Sequence, residues 1–518
     1  ELMENNCMRL LYDEKRGGIV SLTSKLDGHQ TEFVLTPGEF PEYDVENGKW
    51  LGSVEGILVA EGKEISFQSG DVRKNSRVLI SRGCEAQKAG DRCQAVRDRE
   101  NEAQAGQDKI LVECPEIRCG GKGTGLSLEM AFTFRGEALL WEIALKNESR
   151  SDVSIKNLNL PLLMNQFFRN DDTFKYDRCV MRHTCITGHS SYLYWEKSSG
   201  NGPVLLMMPV GDSVFLDLTK EGDGLFGGRF GEGFAYEGMV RVHLVGEKPV
   251  YDGPGNEVCL RPGESASFQI VLAFLENEKQ IEETLAAWSL TVLKAVPGMV
   301  GPIENDFHVM TRPIDARIEL CSPEDRILDA TVKNGWRVSR IRFGACGKRY
   351  VRVGNKGNYA YYCFFGMESP QDMIDGHAAF IADNHLEQDE SDPCFHALLM
   401  WDMGNKRRIN ASFNPYTEDW WRGGSDDPGL ASGLFLSEKN VYRPEERELS
   451  VLHAFVEDFI ITRLTEQPGW RVHRMVPWFT MFEPWAGNGA DDVWRAYNYI
   501  HVINIMRNMY LIKKQYQI

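Results

Sequence analysis

The chain has 518 residues, of which 42% are hydrophobic and 11% aromatic, so it can bury a sizeable core and is not a disordered protein. Its 58 basic and 75 acidic residues give a net charge of −17, which argues against nucleic acid or an anionic membrane surface as a partner. The length predicts two to four domains. No apolar run is long enough for a membrane-spanning helix, so the sequence predicts no membrane insertion.

Residues 1–275 show the alternation of apolar and polar residues that is typical of β-strands. The clearest case is residues 130–145, where two alternating runs flank the polar turn Arg135-Gly136-Glu137. Many such runs, frequent glycines and almost no helical period predict a large antiparallel β-sandwich.

The periodicity changes after residue 275. Four apolar residues follow at spacings that place them on one helix face: Ile281, Leu285, Trp288 and Val292. Pro297 and Gly298 then end the pattern. We therefore predict a linker helix within 276–309.

Residues 310–366 return to a β pattern and predict a small β module. Alternation recurs at 317–320 and 350–353, and residues 359–365 are rich in aromatic side chains. The stretch Ser322-Pro323-Glu324-Asp325 also fits the start of a helix, which leaves that alternative open.

Residues 367–518 carry helical patterns and predict the hairpins of an (α/α)6-type toroid, so the fold class is α+β and multidomain. The candidate helices are 370–386, 393–403, 428–440, 445–464 and 491–516. A complete toroid has twelve helices, so these five predict about half of one. We therefore expect a fragment or a truncated product with an incomplete toroid.

A large sandwich, a linker helix and then helical hairpins is the order found in six-hairpin glycosidases and sugar phosphorylases. In chain order, the motifs that carry a closer resemblance are Gly17-Gly18-Ile19-Val20-Ser21-Leu22 with Asp27, 50–54, Asp392-Pro393-Cys394-Phe395 with Trp401-Asp402, 425–429, 470–474 with 482–484, and 494–502. Together they resemble an uncharacterised family of six-hairpin glycosidase-like proteins, a domain of unknown function. The resemblance implies an N-terminal sandwich, a toroid and a carbohydrate-active class, but no particular substrate.

The loop 414–427 and residue Glu483 supply the candidate catalytic groups. Inverting hydrolysis needs two carboxyl groups about 6.5–9.5 Å apart, and Asp426 or Asp427 with Glu483 are the candidates. The loop also contains Trp420, Trp421 and Arg422. Adjacent tryptophans offer flat apolar faces for sugar rings, and an arginine can bind hydroxyl or anionic groups. We therefore assign these three to substrate binding.

Two of the candidate carboxyl groups also have a structural interpretation. Asp427 directly precedes Pro428, which fits a helix N-cap, and Glu483 can simply point to solvent from an aromatic cluster. Four further residues are candidates for substrate binding: Trp401, Asp402, Tyr499 and His501. A satisfied core histidine is the alternative for His501.

The first functional hypothesis is therefore a glycoside hydrolase of the inverting type that acts on an oligo- or polysaccharide. One alternative is a non-catalytic carbohydrate-binding protein or a degenerate, truncated relative. A second alternative is a polysaccharide lyase, which needs a Tyr, His or Lys base beside a uronate-binding arginine; Tyr499, His501 and Arg495 keep it open. The expected partner is a carbohydrate substrate, and the oligomeric state stays open.

The twelve cysteines include no Cys-x-x-Cys pair and no Cys/His cluster at metal spacing, so the sequence predicts no metal and no cofactor. No signal peptide is visible, which slightly favours the cytoplasm. The chain begins Glu1-Leu2-Met3, however, so a secreted protein stays open.

Overall fold

The computed structural model describes residues 1–28, 30–35, 49–81, 108–166, 174–221, 239–355, 358–410, 412–413, 415, 430–473 and 499–516. The chain divides into two compact units, Glu1–Gly366 and Met367–Ile518, which we call the β unit and the helical unit. No helix in these ranges is long and apolar enough to cross a membrane.

The β unit up to residue 275 consists almost entirely of strands. In chain order they are β1 (Leu2–Glu4), β2 (Met8–Asp13), β3 (Gly18–Ser24), β4 (Glu55–Ala60), β5 (Lys63–Phe67), β6 (Arg77–Ser81), β7 (Lys109–Cys114), β8 (Arg118–Cys119), β9 (Lys122–Gly123), β10 (Leu126–Arg135), β11 (Ala138–Asn147), β12 (Val153–Leu162), β13 (Val180–Cys185), β14 (Tyr192–Lys197), β15 (Val204–Val210), β16 (Asp217–Glu221), β17 (Met239–Val245), β18 (Val258–Leu260) and β19 (Ser265–Leu275). A short helix, α1 (Ser69–Lys74), lies between β5 and β6, and a π-helical turn, Phe174–Arg178, precedes β13.

Two large antiparallel sheets form the predicted sandwich. One has the strand order β13-β14-β15-β19-β11-β10-β7-β6, and the other the order β16-β17-β12-β4-β5 with β18 paired to β12. Phe132 and Trp141 of the first sheet share one buried core with Leu158 and Val242 of the second. The prediction of a large antiparallel β-sandwich is thereby confirmed, and the described residues as a whole contain more strand than the predicted α+β class suggests.

The predicted hairpin 130–145 forms β10 and β11. Arg135 pairs with Ala138, which leaves Gly136 and Glu137 as a two-residue turn. Gly136 has a φ of +63°, which glycine adopts without steric cost because it lacks a Cβ. The alternating residues are buried, and the rings of Phe132 and Trp141 stack with centroids 5.6 Å apart.

The linker helix is shorter than predicted. A 3₁₀ turn, Glu278–Gln280, leads into α2 (Ile281–Ala287), and Ser289 then adopts a φ of +61°, which ends the helix. Val292, which fitted the helical spacing, instead begins a strand. Both α2 and this strand bury apolar side chains in one cluster with the eight-stranded sheet. The apolar spacing therefore continues from the helix into the strand, because both segments face this cluster.

Residues 292–367 form a small β region, where the sequence predicts a small β module over 310–366. Its strands are β20 (Val292–Val296), β21 (Val300–Pro302), β22 (Phe307–Arg312), β23 (Arg317–Leu320), β24 (Arg326–Lys333), β25 (Trp336–Arg342), β26 (Gly347–Asn355) and β27 (Asn358–Met367), in two four-stranded sheets. Phe307, Phe343 and Phe364 pack in its core. The helix start considered at 322–325 does not form, and Asp325 pairs with the buried Arg349 instead.

The helical unit contains fewer helices than predicted within its described residues. Its elements are α3 (Pro370–Asn384), β28 (Trp401–Asp402), β29 (Arg407–Arg408), α4 (Ala431–Tyr442), α5 (Glu446–Ala454) with a π-helical continuation (Phe455–Leu464), β30 (Thr465–Glu466), β31 (Arg471–Val472) and α6 (Tyr499–Tyr516). They enclose a second core that includes Ile381, Leu436 and Phe459. The toroid itself stays a prediction.

The prediction of a helix at 393–403 is wrong. The Asp392 carboxylate accepts the Cys394 N–H at 2.8 Å, and His396 has a φ of +62°, so both residues hold the chain in turns. Leu398 forms an isolated antiparallel bridge with Leu386, and Trp401 begins a strand.

Candidate functional site

Most of the predicted catalytic loop lies outside the described residues. This applies to Trp420, Trp421, Arg422, Asp426, Asp427 and Glu483. Their roles and separations therefore stay predictions. The chain on either side is described: β29 lies before the loop and α4 begins after it.

Asp402 stabilises the turn between β28 and β29. Its carboxylate accepts the backbone N–H groups of Gly404 and Asn405 at 2.8 and 2.9 Å, and the side-chain amide of Asn405 at 2.9 Å. The bonds from Asn405, followed by that from Gly404, lower the pKa of Asp402 because they favour its charged form. The geometry thus gives Asp402 a structural role, and substrate binding by it stays a prediction.

Trp401 stands on β28 with its side chain half-buried. Its ring meets the ring of Phe380 on α3 edge to face, with centroids 5.7 Å apart. Arg408 lies directly opposite on β29. Trp401 therefore joins a helix to the strand pair that carries Arg408.

Tyr499 and His501 both lie on α6. The Tyr499 hydroxyl accepts the backbone N–H of Val472 at 3.1 Å, which ties the start of α6 to β31. His501 is half-buried two residues further on. Substrate contact by either residue stays a prediction.

A buried carboxylate organises the region beside Trp401. Glu387 is only 1% exposed, and its Oε1 accepts the backbone N–H groups of Gln388 and Asp389 at 2.8 and 2.9 Å. Its Oε2 accepts the Asn410 side-chain amide at 2.9 Å and lies 3.6 Å from Nε of Arg408. A buried carboxylate with these partners fixes the positions of Asn410 and Arg408.

His385 follows the last residue of α3 and is neutral at pH 7. Its Nδ1 lies 3.3 Å from the Ser432 hydroxyl on α4, and the ring of Phe380 packs edge to face against the imidazole. Burial lowers the pKa of His385 to about 4, with further contributions from His377 and Arg408. The imidazole is therefore an available proton acceptor.

Arg408 lies beside this histidine. Its Nη1 donates to the carbonyl oxygen of Asn384 at 3.1 Å, one residue before His385. Nε has no hydrogen-bond partner in the described part of the chain, and 26% of the side chain is exposed. The guanidinium is thus anchored at one end and partly open to solvent.

We call His385, Glu387, Arg408 and Asn410 the polar cluster. A neutral imidazole can accept a proton, a guanidinium can pair with a carboxylate, and an amide can bind a hydroxyl group. The half-buried Trp401 offers an aromatic face alongside. Such an arrangement can bind a carboxylate and hydroxyl groups and can accept a proton.

The residues of the polar cluster are not among the candidates that the sequence predicts. His385 and Glu387 stand at the end of the predicted helix 370–386, and Arg408 and Asn410 come just before the predicted loop. What brings them together is the antiparallel bridge between Leu386 and Leu398, a contact between distant residues. The one local feature that points to the polar cluster is the pattern of His385 and Glu387, two residues apart at the end of a predicted helix.

The fold and the cluster together define a β-rich multidomain protein whose helical unit brings a buried His and Glu together with a partly exposed Arg and Asn. Residues 58–518 match the family of unknown function DUF5695, and the chain belongs to this family. No curated protein matches the chain.

Among solved structures, the chain resembles a polysaccharide lyase over 100% of its own length and 67% of that chain, with a TM-score of 0.73 and 14% identity. At this identity the likeness shows the fold alone. A galactose mutarotase related enzyme from Lactobacillus acidophilus aligns with 54% of this chain and 98% of its own, with a TM-score of 0.31 and 9% identity. An α-galactosidase from Geobacillus stearothermophilus aligns with 43% of this chain and 30% of its own, with a TM-score of 0.23 and 10% identity.

Proposed function

We propose that this chain is a carbohydrate-active enzyme that cleaves an acidic polysaccharide by β-elimination. The observation that carries the proposal is the neutral His385 beside the partly exposed guanidinium of Arg408. The fold likeness to a polysaccharide lyase along the whole chain supports the same class. In this proposal His385 is the base and Arg408 the arginine that a lyase requires, in place of the sequence candidates Tyr499, His501 and Arg495.

In this reaction Arg408 pairs with the carboxylate of a uronate residue. The pairing makes the proton on the neighbouring ring carbon, C5, more acidic, and the His385 imidazole removes that proton. The electron pair forms a double bond between C4 and C5 while the bond from C4 to the glycosidic oxygen breaks. Water can return a proton to the leaving oxygen. Bond changes and charge then balance without an oxidant or a cofactor.

In this proposal, substrate binding also makes His385 a stronger base. In the free protein, the positive charge of Arg408 is one of the groups that lower the pKa of His385. A bound carboxylate offsets that charge, so the pKa of His385 rises and the imidazole accepts a proton more readily. The anionic substrate thus prepares its own proton acceptor.

The test compares two products of cleavage. The full chain is incubated with polygalacturonate, alginate and chondroitin sulfate, and both new reducing ends and the ultraviolet absorbance of an unsaturated uronate are measured. Elimination raises both signals together. Reducing ends without absorbance indicate hydrolysis instead, and no cleavage of any acidic polymer contradicts the proposal.

The variant Arg408→Lys is the more specific test of the proposal, and Arg407→Lys is its matched control. Lysine keeps the charge but loses the planar donor pair, so we expect kcat/KM to fall about 10- to 100-fold. Arg407 is exposed and packs over the ring of Phe413, outside the polar cluster. Its lysine variant should therefore retain activity, and equal losses in both variants would remove Arg408 from the site.

Inverting hydrolysis is the second candidate function, favoured by the composition of the loop 414–427. Trp420, Trp421, Arg422, Asp426 and Asp427 are too many large and charged groups for a simple connection. In this proposal Asp426 activates water and Glu483 protonates the leaving oxygen. Asp426→Asn should then abolish the release of reducing ends, whereas Asp427→Asn should reduce it little if Asp427 is a helix cap, because asparagine caps well. Hydrolysis that survives Asp426→Asn would end this assignment.

A further inference from the structure

A row of polar side chains crosses the outer face of the smaller sandwich sheet, far in sequence from the polar cluster. Strands β4, β12, β17 and β16 are neighbours there. Glu55 pairs with Asn159, Asn159 with His243, and His243 with Asp217. Directly paired residues point to the same face, so these four form a continuous row, which we call the polar row. Next to them, Leu58, Leu160 and Val242 point the other way into the sandwich core.

The polar row is cross-linked by side chains from the same strands. Arg241 forms an ion pair with Glu55 across the intervening strand. The amide of Asn157 lies 3.0 Å from Nδ1 of His243, and the Thr219 hydroxyl lies 2.8 Å from Nε2. Because the amide nitrogen donates to Nδ1, the ring proton belongs on Nε2, which donates to Thr219. Burial lowers the pKa of His243, so this imidazole is neutral at pH 7.

Three buried acceptor atoms on this face lack donors. Glu55 is only 5% exposed, and its Oε2 has no hydrogen-bond partner within the described ranges. The same holds for Oδ1 of Asn157 and Oδ1 of Asn159. A buried acceptor without a donor is costly, and a carboxylate oxygen especially so. Three such atoms on adjacent strands therefore define a place where a donor-rich ligand gains affinity.

We infer that the polar row is a binding site for a neutral sugar, whose hydroxyl groups donate to Glu55, Asn157 and Asn159. A metal cation is disfavoured because Arg241 already places a positive charge on Glu55, and no cluster of three or more metal-ligating side chains occurs among the residues described. An acidic sugar is disfavoured because Glu55 and Asp217 are both carboxylates on the same row. A hydroxyl group can both donate to the free oxygens and accept from Arg241.

The polar row is long enough to contact one or two sugar rings. Three inter-strand spacings of about 4.7–4.9 Å give the row a length of about 14 Å. This site differs from the polar cluster because it lies on the strands of the sandwich and holds two carboxylates. It also takes a neutral sugar, whereas the polar cluster is proposed to take an acidic one. It stands independently of the proposed elimination reaction.

The experiment is saturation-transfer NMR on the full chain with D-glucose, D-galactose and D-mannose as probes. We expect transfer to at least one of them. Glu55→Gln should weaken binding of that sugar about tenfold, because it removes the charged acceptor while keeping the shape of the side chain. Glu64→Gln on the adjacent strand β5 is the matched control, since Glu64 is exposed and outside the row.

A second variant separates binding from folding. Asn159→Ala removes an acceptor that no described group satisfies, so it should leave the melting temperature unchanged or higher while weakening sugar binding about tenfold. Three results would overturn the inference: no transfer from the folded chain to any of the three sugars, equal affinity in Asn159→Ala and the unaltered protein, or binding that disappears in Arg408→Lys and persists in Glu55→Gln.

Discussion

His385 links the chemistry of the helical unit to its stability. Its folded-state pKa of about 4 lies below the ordinary value of about 6.5 in an unfolded chain. Protons therefore bind the unfolded state more readily between these two values. The contribution of the neutral His385 to the free energy of unfolding is fully present above about pH 6.5. It is lost as the pH falls towards 4, and the loss for this group is at most about 3 kcal/mol.

We expect His385→Gln to flatten this acid-side loss, because glutamine does not titrate. Thermal unfolding of the full chain between pH 4 and 7 measures the effect. His453→Gln is the control, since His453 is exposed on α5 and should leave the pH dependence unchanged. If His385→Gln and the unaltered chain lose stability in parallel between pH 6.5 and 4, His385 is not held neutral by burial.

At the scale of elements, two helical glycines provide a matched pair of tests. A Cβ on Gly433 of α4 would lie 2.3 Å from the ring of Phe455, which is fully buried. Gly433→Ala should therefore destabilise the helical unit by about 1–3 kcal/mol through overpacking. A Cβ on Gly376 of α3 would meet nothing within 4 Å. Gly376→Ala should stabilise by about 0.5–1 kcal/mol, because alanine loses less backbone entropy in a helix. Denaturation of both variants measures the difference, and effects of the same sign would contradict this packing.

The elements that the sequence predicts well are those with a strong local period. The alternating residues 130–145 became β10 and β11, and the Ser369-Pro370 start became the N-cap and first turn of α3. The linker helix was overextended because Val292 satisfies the helical spacing while actually belonging to a strand. Only burial against the eight-stranded sheet distinguishes these alternatives, and burial is not visible in the sequence.

The candidate sites were less predictable for a related reason. The polar cluster depends on the bridge between Leu386 and Leu398, and the polar row depends on pairing among four strands distant in sequence. The sequence makes Asp402 a candidate for substrate binding, whereas its bonds to Asn405 hold a turn. Local sequence shows residue types, but these contacts arise from the register between separate segments.

At the scale of the whole molecule, each unit has its own buried core, and each carries one candidate site. The charges of the two sites differ in a way that suits a division of roles. The polar cluster includes a partly exposed guanidinium, which fits the acidic sugar proposed for it, whereas the polar row combines two carboxylates with a paired arginine, which fits the neutral sugar inferred for it.

The surface of α6 leads to the last prediction, which concerns association. Ile500, Ile503 and Tyr510 are 55%, 60% and 61% exposed, and their spacing places them on one side of the helix. The opposite side, with Ile505 and Ile512, is buried. Exposed apolar stripes promote association, so we expect the full chain to self-associate.

Ile503→Lys should shift the full chain towards the monomer in light scattering, because it replaces the centre of the stripe with a charge. Gln515→Lys is the matched control: it adds the same charge to the exposed end of α6 without removing apolar surface, and it should leave the apparent mass unchanged. Since the chain carries a net charge of −17, each lysine reduces the overall repulsion by the same small amount, so this difference isolates the apolar contact. A full chain that is monomeric at every concentration, or two lysine variants that behave alike, would show that the α6 stripe does not mediate association.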